Sequence, residues 1–390
     1  MRLEEICTVF TDGDWIESKD QSDDGIRLVQ TGNIGEGIYL EKEARAKYIS
    51  EETFGKLKCT EIFPGDILVS RLPDPVGRAC IIPEKEERMI TAVDCTICRP
   101  NESIISKEYL CYFMRSSAYY KRLLGSVTGT TRKRISRKNL GNVELEVPSK
   151  EIQMDVVEQL DCLVKVIESR KQELQLLDNL IKARFVEMFG LPGTDEKGWG
   201  LRSLGECCEL NPKKGSDRRL TSGIEVSFIP MTAVSENGAI KTSEKKTYDE
   251  VKVGFTYFAE NDVLFAKITP CMENGKGAVA VDLCNGIGFG STEFHVLRPL
   301  AGRSNPYWLY SLTVFDTFRK DATANMTGSA GQRRVPSIFL DKYKVTLPPL
   351  ELQNQFADFV HQVDKSKVAV QKALDETQLL FNSLMQKYFG

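Results

Sequence analysis

With 390 residues, 41% hydrophobic and 27% charged, the chain is globular in composition and long for one domain, so two domains of ordinary size are expected. A net charge of −3 and a pI of about 5.8 exclude a uniformly basic nucleic-acid binder, so any DNA-binding face must come from local segregation of charge. No apolar run approaches the ~20 residues of a membrane helix, and the start Met1-Arg2-Leu3-Glu4-Glu5 lacks the apolar core of a secretory signal; no membrane association and a cytoplasmic location with reduced thiols are expected.

In the first half, Ile67-Leu68-Val69-Ser70 has the composition of a buried strand, and Tyr109 to Leu124 suits an amphipathic helix. From Tyr109 to Val143 there is no acidic residue, while Arg115, Lys121, Arg122, Arg132, Lys133, Arg134, Arg137 and Lys138 are basic. Within that stretch, Thr128-Gly129-Thr130-Thr131-Arg132-Lys133-Arg134 sets small hydroxylated residues beside cations, which suits close approach to a phosphate backbone. After Pro148 no Pro or Gly occurs until Gly190. Apolar residues at Val156, Leu160, Leu163, Ile167, Leu174, Leu177, Ile181 and Met188 form a heptad seam broken only by Arg170 and Arg184. Val164, Leu176, Phe185 and Val186 lie off the seam and are expected to leave a second surface for other subunits.

The second half repeats this order. Val263 to Ala266, Gly277 to Val281 and Glu293 to Leu297 read as strands, and Pro306 to Phe318 as a helix. Ala322 to Leu340 is again free of acids and holds Thr327-Gly328-Ser329-Ala330-Gly331-Gln332-Arg333-Arg334. A second seam follows at Phe356, Val360, Val363, Val370, Leu374, Phe381, Leu384 and Tyr388, broken by Lys367 and Thr377. Two mediocre seams in one chain are expected to pair with each other. At ~1.5 Å per residue, a helix of about 38 residues would span about 55 Å, more than the ~34 Å of one double-helical turn.

The halves are copies. Val147-Pro148-Ser149-Lys150-Glu151-Ile152-Gln153 matches Leu347-Pro348-Pro349-Leu350-Glu351-Leu352-Gln353, and Phe189-Gly190 matches Phe389-Gly390, each at an offset of 200. Ile135 pairs with Val335 and Leu28-Val29 with Phe228-Ile229 at the same offset; small gaps align Gly65-Asp66-Ile67-Leu68 with Asn261-Asp262-Val263-Leu264. The expected class is α+β, with a compact and highly curved sheet in residues 1–150 and 191–350, and long helices in 151–190 and 351–390. A duplicated binder is expected to read a bipartite ligand.

Enzymatic and metal readings have little support. Gly286-Ile287-Gly288-Phe289-Gly290 is not followed by a helix pattern, as a cofactor loop would be. Asn305-Pro306-Tyr307-Trp308 lacks the second proline of an adenine-methylase loop and reads better as a helix start, with Asn305 as cap. The 11 cysteines include Cys95-x-x-Cys98 and Cys207-Cys208, but only His295 and His361 could complete a zinc site, so buried free thiols are expected. No catalytic residue and no metal ligand is assigned. A coiled-coil scaffold that does not bind DNA is the alternative from another class.

The order of these pieces resembles the specificity subunits of Type I restriction–modification systems. The resemblance rests on Gly25-Ile26-Arg27-Leu28-Val29-Gln30-Thr31-Gly32-Asn33-Ile34, on Pro64-Gly65-Asp66-Ile67-Leu68-Val69-Ser70 and on Gly331-Gln332-Arg333-Arg334-Val335-Pro336. It is completed by Leu347 to Gln353 leading into a helix, and it covers essentially the whole chain. The first copy departs from it, with Thr131-Arg132-Lys133-Arg134 in place of Gly-Gln-Arg-Arg and Ser149-Lys150 where the second copy has Pro349-Leu350.

The resemblance implies two pseudo-symmetric target recognition domains, each reading half of a bipartite site in double-stranded DNA. They would be separated by an antiparallel coiled-coil spacer that docks two methyltransferase subunits. Those partners would carry S-adenosylmethionine and methylate adenine at N6, this chain binding no cofactor; a translocating endonuclease subunit is a further candidate partner. Related methyltransferase-only and Type IIB-like systems are the near alternative. Candidate DNA-contact residues are Gln30, Thr31, Asn33, Arg71, Thr130, Arg132, Lys133, Arg134 and Arg137 in the first copy. In the second they are Lys267, Thr327, Ser329, Gln332, Arg333 and Arg334, arginine suiting guanine edges and Gln332 adenine.

Overall fold

The computed structural model describes residues 1–390 except 128, 130–132, 241–243 and 330, and the side chain of Ser216. It divides into two compact units, one formed by Met1–Ser169 with Ala373–Gly390 and the other by Arg170–Lys372.

The first unit holds β1 (Cys7–Asp12), β2 (Ile26–Val29), β3 (Tyr48–Ile49), β4 (Glu61–Ile62), β5 (Ile67–Ser70), β6 (Ala79–Ile81), β7 (Met89–Thr91) and β8 (Cys95–Pro100). They form two four-stranded sheets, in the orders β1-β8-β5-β6 and β3-β2-β7-β4, with β2 and β7 parallel. All four residues of β5 are buried, which is why it reads as an unbroken apolar run rather than an alternation. Val29 and Met89 from one sheet and Leu68, Cys80 and Ile97 from the other share one core.

The second unit holds β9 (Leu201–Ser203), β10 (Cys208–Leu210), β11 (Glu225–Ile229), β12 (Glu244–Thr247), β13 (Thr256–Ala259), β14 (Val263–Ala266), β15 (Gly277–Val279), β16 (Ile287–Gly290), β17 (Phe294–Pro299) and β18 (Lys344–Thr346). Its sheets run β10-β17-β14-β15 and β12-β11-β16-β13, again with one parallel pair, β11 with β16, and a separate pair β18-β9. The two four-stranded sheets therefore repeat one topology in both units, and the pair β18-β9 is added in the second.

The single curved sheet expected for each half is corrected to two sheets. The chain passes between them at a turn whose residue is left-handed in both copies, Gly65 at φ 91° and Asn261 at φ 67°, a conformation that glycine and asparagine enter at least cost. The next residue locks the turn. Asp66 accepts from the Phe63 amide at 2.9 Å and takes both arms of Arg99 at 2.7 and 2.8 Å. Asp262 accepts from the Ala259 amide at 2.7 Å and takes Arg298 at 2.8 and 2.7 Å.

The helices expected over Tyr109 to Leu124 and Pro306 to Phe318 are each two. Lys107–Phe113 and Ser117–Leu124 are separated because Ser116 turns extended and caps the second, its Oγ accepting from the Tyr119 amide at 3.1 Å. Pro306–Thr313 and Asp316–Ala324 break at Phe315. Asn305 does cap its helix, accepting from the Tyr307 amide at 2.9 Å, with Pro306 in the first turn.

The long helices are Lys150–Phe189 and Leu350–Phe389. Each is tied to its globular part by a fully buried glutamine. Gln153 accepts from the Ser106 amide and donates to the Ile104 and Pro148 carbonyls. Gln353 accepts from the Asn305 amide and donates to those of Arg303 and Pro348. The matching segments Val147 to Gln153 and Leu347 to Gln353 thus encode one joint made twice.

Within the second unit the helices run antiparallel. Lys367 pairs with Asp178 at 2.8 Å, and the Phe185 ring lies 5.5 Å from that of Phe356. Lys367, which interrupts the seam, is thus answered by a carboxylate. In the first unit Tyr388 Oη donates to Gln159 Oε1 at 2.8 Å. Of the seam residues, Val156, Leu160, Ile167, Phe356, Val360, Val363, Val370, Leu374 and Phe381 are buried, and Leu163, Leu174, Leu177, Ile181 and Leu384 are half-buried. Leu176 is exposed as expected, whereas Phe185 is not a free surface. It is fully buried against Phe189, Phe315 and Phe356, because the last turns of the helix pack into the globular core. No helix among the described residues is long and apolar enough to cross a membrane.

Candidate nucleic-acid interface

In the second unit the segment that carries the arginines is stitched to the exit of β14. Thr327 and Arg334 exchange backbone hydrogen bonds at 3.0 and 2.8 Å, closing the loop between them. The Val335 amide donates to the Lys267 carbonyl at 2.9 Å, and the Thr269 amide to that of Arg333 at 3.0 Å. Inside the loop Gly328 sits at φ 120°, where a Cβ would lie 2.9 Å from the Gln332 carbonyl oxygen, so the tight return requires glycine. Ser329 and Gln332 are exposed on this loop.

This stitching brings Lys267, Thr327, Arg333 and Arg334 together. Arg334 makes a two-armed pair with Glu293 at 2.9 and 2.8 Å, and Arg333 a longer one with Glu273 at 3.5 Å. Hydrogen bonding from Arg334 holds the Glu293 carboxyl below the usual carboxylate range. Arg334 Nη1 also donates to the Gln332 carbonyl at 3.1 Å, so the guanidinium is fixed in direction, and the N–H groups left over on its solvent-open end suit a phosphate or a base edge. Below it, buried His295 has Nε2 2.8 Å from the Val335 carbonyl oxygen, to which it donates, while Nδ1 accepts from Asn211 Nδ2 at 3.1 Å. Burial depresses the imidazole pKa, so the ring is neutral near pH 7 and supports the loop as a dipole.

The first unit repeats the frame with other side chains. The Ile135 amide donates to the Arg71 carbonyl at 3.3 Å and the Arg71 amide to that of Asp94 at 2.9 Å; Lys267 and Glu293 make the second of these bonds at 2.9 Å in the other unit. Arg134 lies 2.8 Å from Asp94 through one nitrogen, at the place where Arg334 meets Glu293 with two. Arg71, however, is buried: its guanidinium bonds to the Val93 carbonyl and lies 3.3 Å from Asp12. Arg137 reaches toward the same Asp12 at 3.9 Å, and Lys133 is exposed. Thr130 and Arg132 lie outside the described residues.

Gln30, Thr31 and Asn33 form a separate turn after β2. Asn33 is buried and internally satisfied, accepting from the Gln30 amide at 3.0 Å and donating to the Leu40 carbonyl at 3.0 Å; Gln30 and Thr31 are half-buried. Arg78, which sequence reasoning missed, clamps this turn through the Thr31 and Ile34 carbonyls at 2.8 and 2.7 Å. Its counterpart in the second unit is Lys276, which donates to the Met231 carbonyl at 3.4 Å. The matching signal was a cation eight or ten residues beyond each inner strand, too common in sequence to be noticed.

The features weighed as enzymatic or metal-binding have structural tasks. Gly288 and Gly290 lie in β16, where a Cβ would strike Phe258 or the Ile229 carbonyl, so they are glycines for packing. Cys95, Cys98, Cys207 and Cys208 are buried free thiols, and burial pushes Cys95 up to about 12 and Cys207 to about 11, leaving both protonated. Among the described residues no group of three metal-ligating side chains comes together.

The family model described as Type I restriction modification DNA specificity domain matches residues 1–179 and 196–377. The specificity subunit of the EcoAI Type I restriction enzyme of Escherichia coli is 37% identical over 195 residues, 48% of this chain and 32% of that protein. The EcoEI counterpart is 34% identical over 196 residues, with the same coverage, so these relatives are matched over about a third of their length. The putative MjaX specificity subunit of Methanocaldococcus jannaschii is 21% identical over 95% of this chain and 89% of its own length. Two solved structures share the fold. A chain from a study of type I restriction–modification complex assembly and conformational transition has a TM-score of 0.56 at 18% identity, covering 100% of this chain and 96% of that one. The S subunit from M. genitalium has a TM-score of 0.53 at 12% identity, covering 100% and 95%. With both globular copies matched by the family model, the chain belongs to the DNA specificity family of Type I restriction–modification systems.

Proposed function

We propose that each unit reads one half of a bipartite site in double-stranded DNA, and that the two long helices fix the gap between the half-sites. The helices also dock two adenine-N6 methyltransferase subunits, with a translocating endonuclease subunit as a further partner in the cytoplasm. The chain itself binds no cofactor and performs no chemistry. S-adenosylmethionine belongs to the methyltransferases, which act on an adenine flipped from the duplex. The observation that carries this reading is the repeated arginine–carboxylate pair, Arg134 with Asp94 and Arg334 with Glu293, at the same backbone position of both units. An arginine held beside a carboxylate twice on one topology suits a ligand with two related halves.

The test is a methylome of the host with and without this gene. The expected result is loss of N6-methyladenine at one split motif, two short half-sites separated by a fixed run of unspecified bases. Loss of a continuous palindrome, or an unchanged methylome in an otherwise active system, would contradict the reading.

A further inference from the structure

A groove of about 490 Å3 lies beside the arginine loop of the second unit, lined by Lys214, Lys252 and Lys267 with Phe255, Thr256 and His295 among its walls, and by no carboxylate among the described residues. A second groove, at the foot of the second long helix, is lined by Glu260, Asp262 and Asp358 together with Arg298.

The three lysines are not alike. Lys214 donates to the Lys252 carbonyl, and Lys252 pairs with Asp249 at 3.0 Å, so both are anchored at the rim. Lys267 is the least exposed of the three, and its ammonium has neither a hydrogen bond nor an ion pair among the described residues, because Glu293 gives its carboxylate to Arg334. Its backbone is fixed on both sides by the bonds to Glu293 and Val335. Burial, the largest effect on this ammonium, lowers the lysine pKa, while Glu293 attracts it without bonding it and Arg334 repels it; an anionic ligand reverses the cost of burial. His295 is neutral and engaged at both nitrogens, so it offers the ligand neither charge nor an open site. At the lip, Val253 and Phe255 stand exposed on either side of Gly254, apolar surface of the kind that meets sugars.

We propose that this groove holds one phosphodiester of the DNA backbone, with Lys267 meeting the phosphate and Lys214 and Lys252 flanking it. The inference rests on the reading of this unit as a DNA recogniser and adds to it the residues that set its position on the duplex. Among the described residues of the first unit there is no equivalent, since Arg71 at the matching place is spent on Val93 and Asp12. Lys267 is accordingly a positioning residue that carries no sequence information.

The test uses the full chain in its methyltransferase complex and Lys267→Met, with Lys267→Arg as a control that keeps the charge. Binding to the cognate duplex and to one with scrambled half-sites is measured across salt concentrations. Lys267→Met should weaken both duplexes by a similar factor and lower the slope of log affinity against log salt by about one, while Lys267→Arg keeps the slope. A scan of single methylphosphonates should find one backbone position that weakens the parent and not Lys267→Met. Loss confined to the cognate duplex with an unchanged slope would mean that Lys267 reads a base edge, and unchanged binding would mean no contact; either overturns the proposal while DNA binding by the parent stands. A parent complex whose DNA affinity does not fall with salt would remove the DNA reading and this inference with it.

Discussion

The two units are most instructive at one shared position, the residue that leaves the inner strand toward the arginine loop. In the first unit it is Arg71, buried and bonded to Val93 and Asp12; in the second it is Lys267, half-buried and with no hydrogen bond or ion pair among the described residues. Three contacts around the position are held constant: the backbone hydrogen bond back to Asp94 or Glu293, the one from Ile135 or Val335, and the arginine beside the carboxylate. Duplication has preserved the scaffold and changed how one cation is used. Apart from the arginine that both loops present, what the copies share therefore reports on stability and loop placement, and what they do not share reports on the half-site each unit meets.

The strongest way to break this equivalence is at the inter-sheet turn. Asp66→Ala or Asp262→Ala leaves a two-armed arginine without its buried carboxylate, and each should cost about 3–5 kcal/mol in urea denaturation. A large loss in only one unit would mean that the turns are not equivalent. Next are the helix joints: Gln153→Ala and Gln353→Ala each abandon three hydrogen bonds at a fully buried site, and each should cost about 2–3 kcal/mol. Smaller effects are expected at the loops, where Arg134→Ala and Arg334→Ala should weaken cognate DNA binding roughly ten- to a hundredfold with little loss of stability. Each should relax only the half-site read by its own unit, as measured by selection from randomised duplexes.

The smallest effect separates the units by pH. Both histidines of the chain, His295 and His361, lie in the second unit. The folded pKa of His295 is depressed by burial, so its contribution to stability is fully present above the unfolded value of about 6.5 and is lost as pH falls below it. Between pH 7.5 and 5.5 the second unit should lose stability relative to the first, and His295→Asn should flatten that dependence. The Glu293 carboxyl, already held below its ordinary value, titrates beneath this window.

Much of this was legible in the sequence because the duplication supplied its own control. Gln153/Gln353 stood out by their offset of 200 and Gly65/Asn261 by alignment across a small gap, and each proved to be one joint or turn built twice. Val263 to Ala266 and Ile67 to Ser70 were readable as strands because they are buried on both faces. The split helices were not, since the serine that caps at 116 looks in sequence like any polar residue in a helical run. Nor was the burial of Phe185 legible, because a heptad count describes contacts between helices and is silent about the end that docks on a sheet domain. Of the interface, charge segregation found the arginines but not their carboxylates, and it missed Lys214 and Lys252, which only the folded groove places beside Lys267.

The most direct measurement of the central claim is an exchange of residues 1–150 for the corresponding domain of another family member, followed by the methylome of cells carrying the hybrid. If each unit reads its own half-site, one half of the split motif changes while the other half and the spacing remain. A change in both halves, or in the spacing alone, would contradict the account.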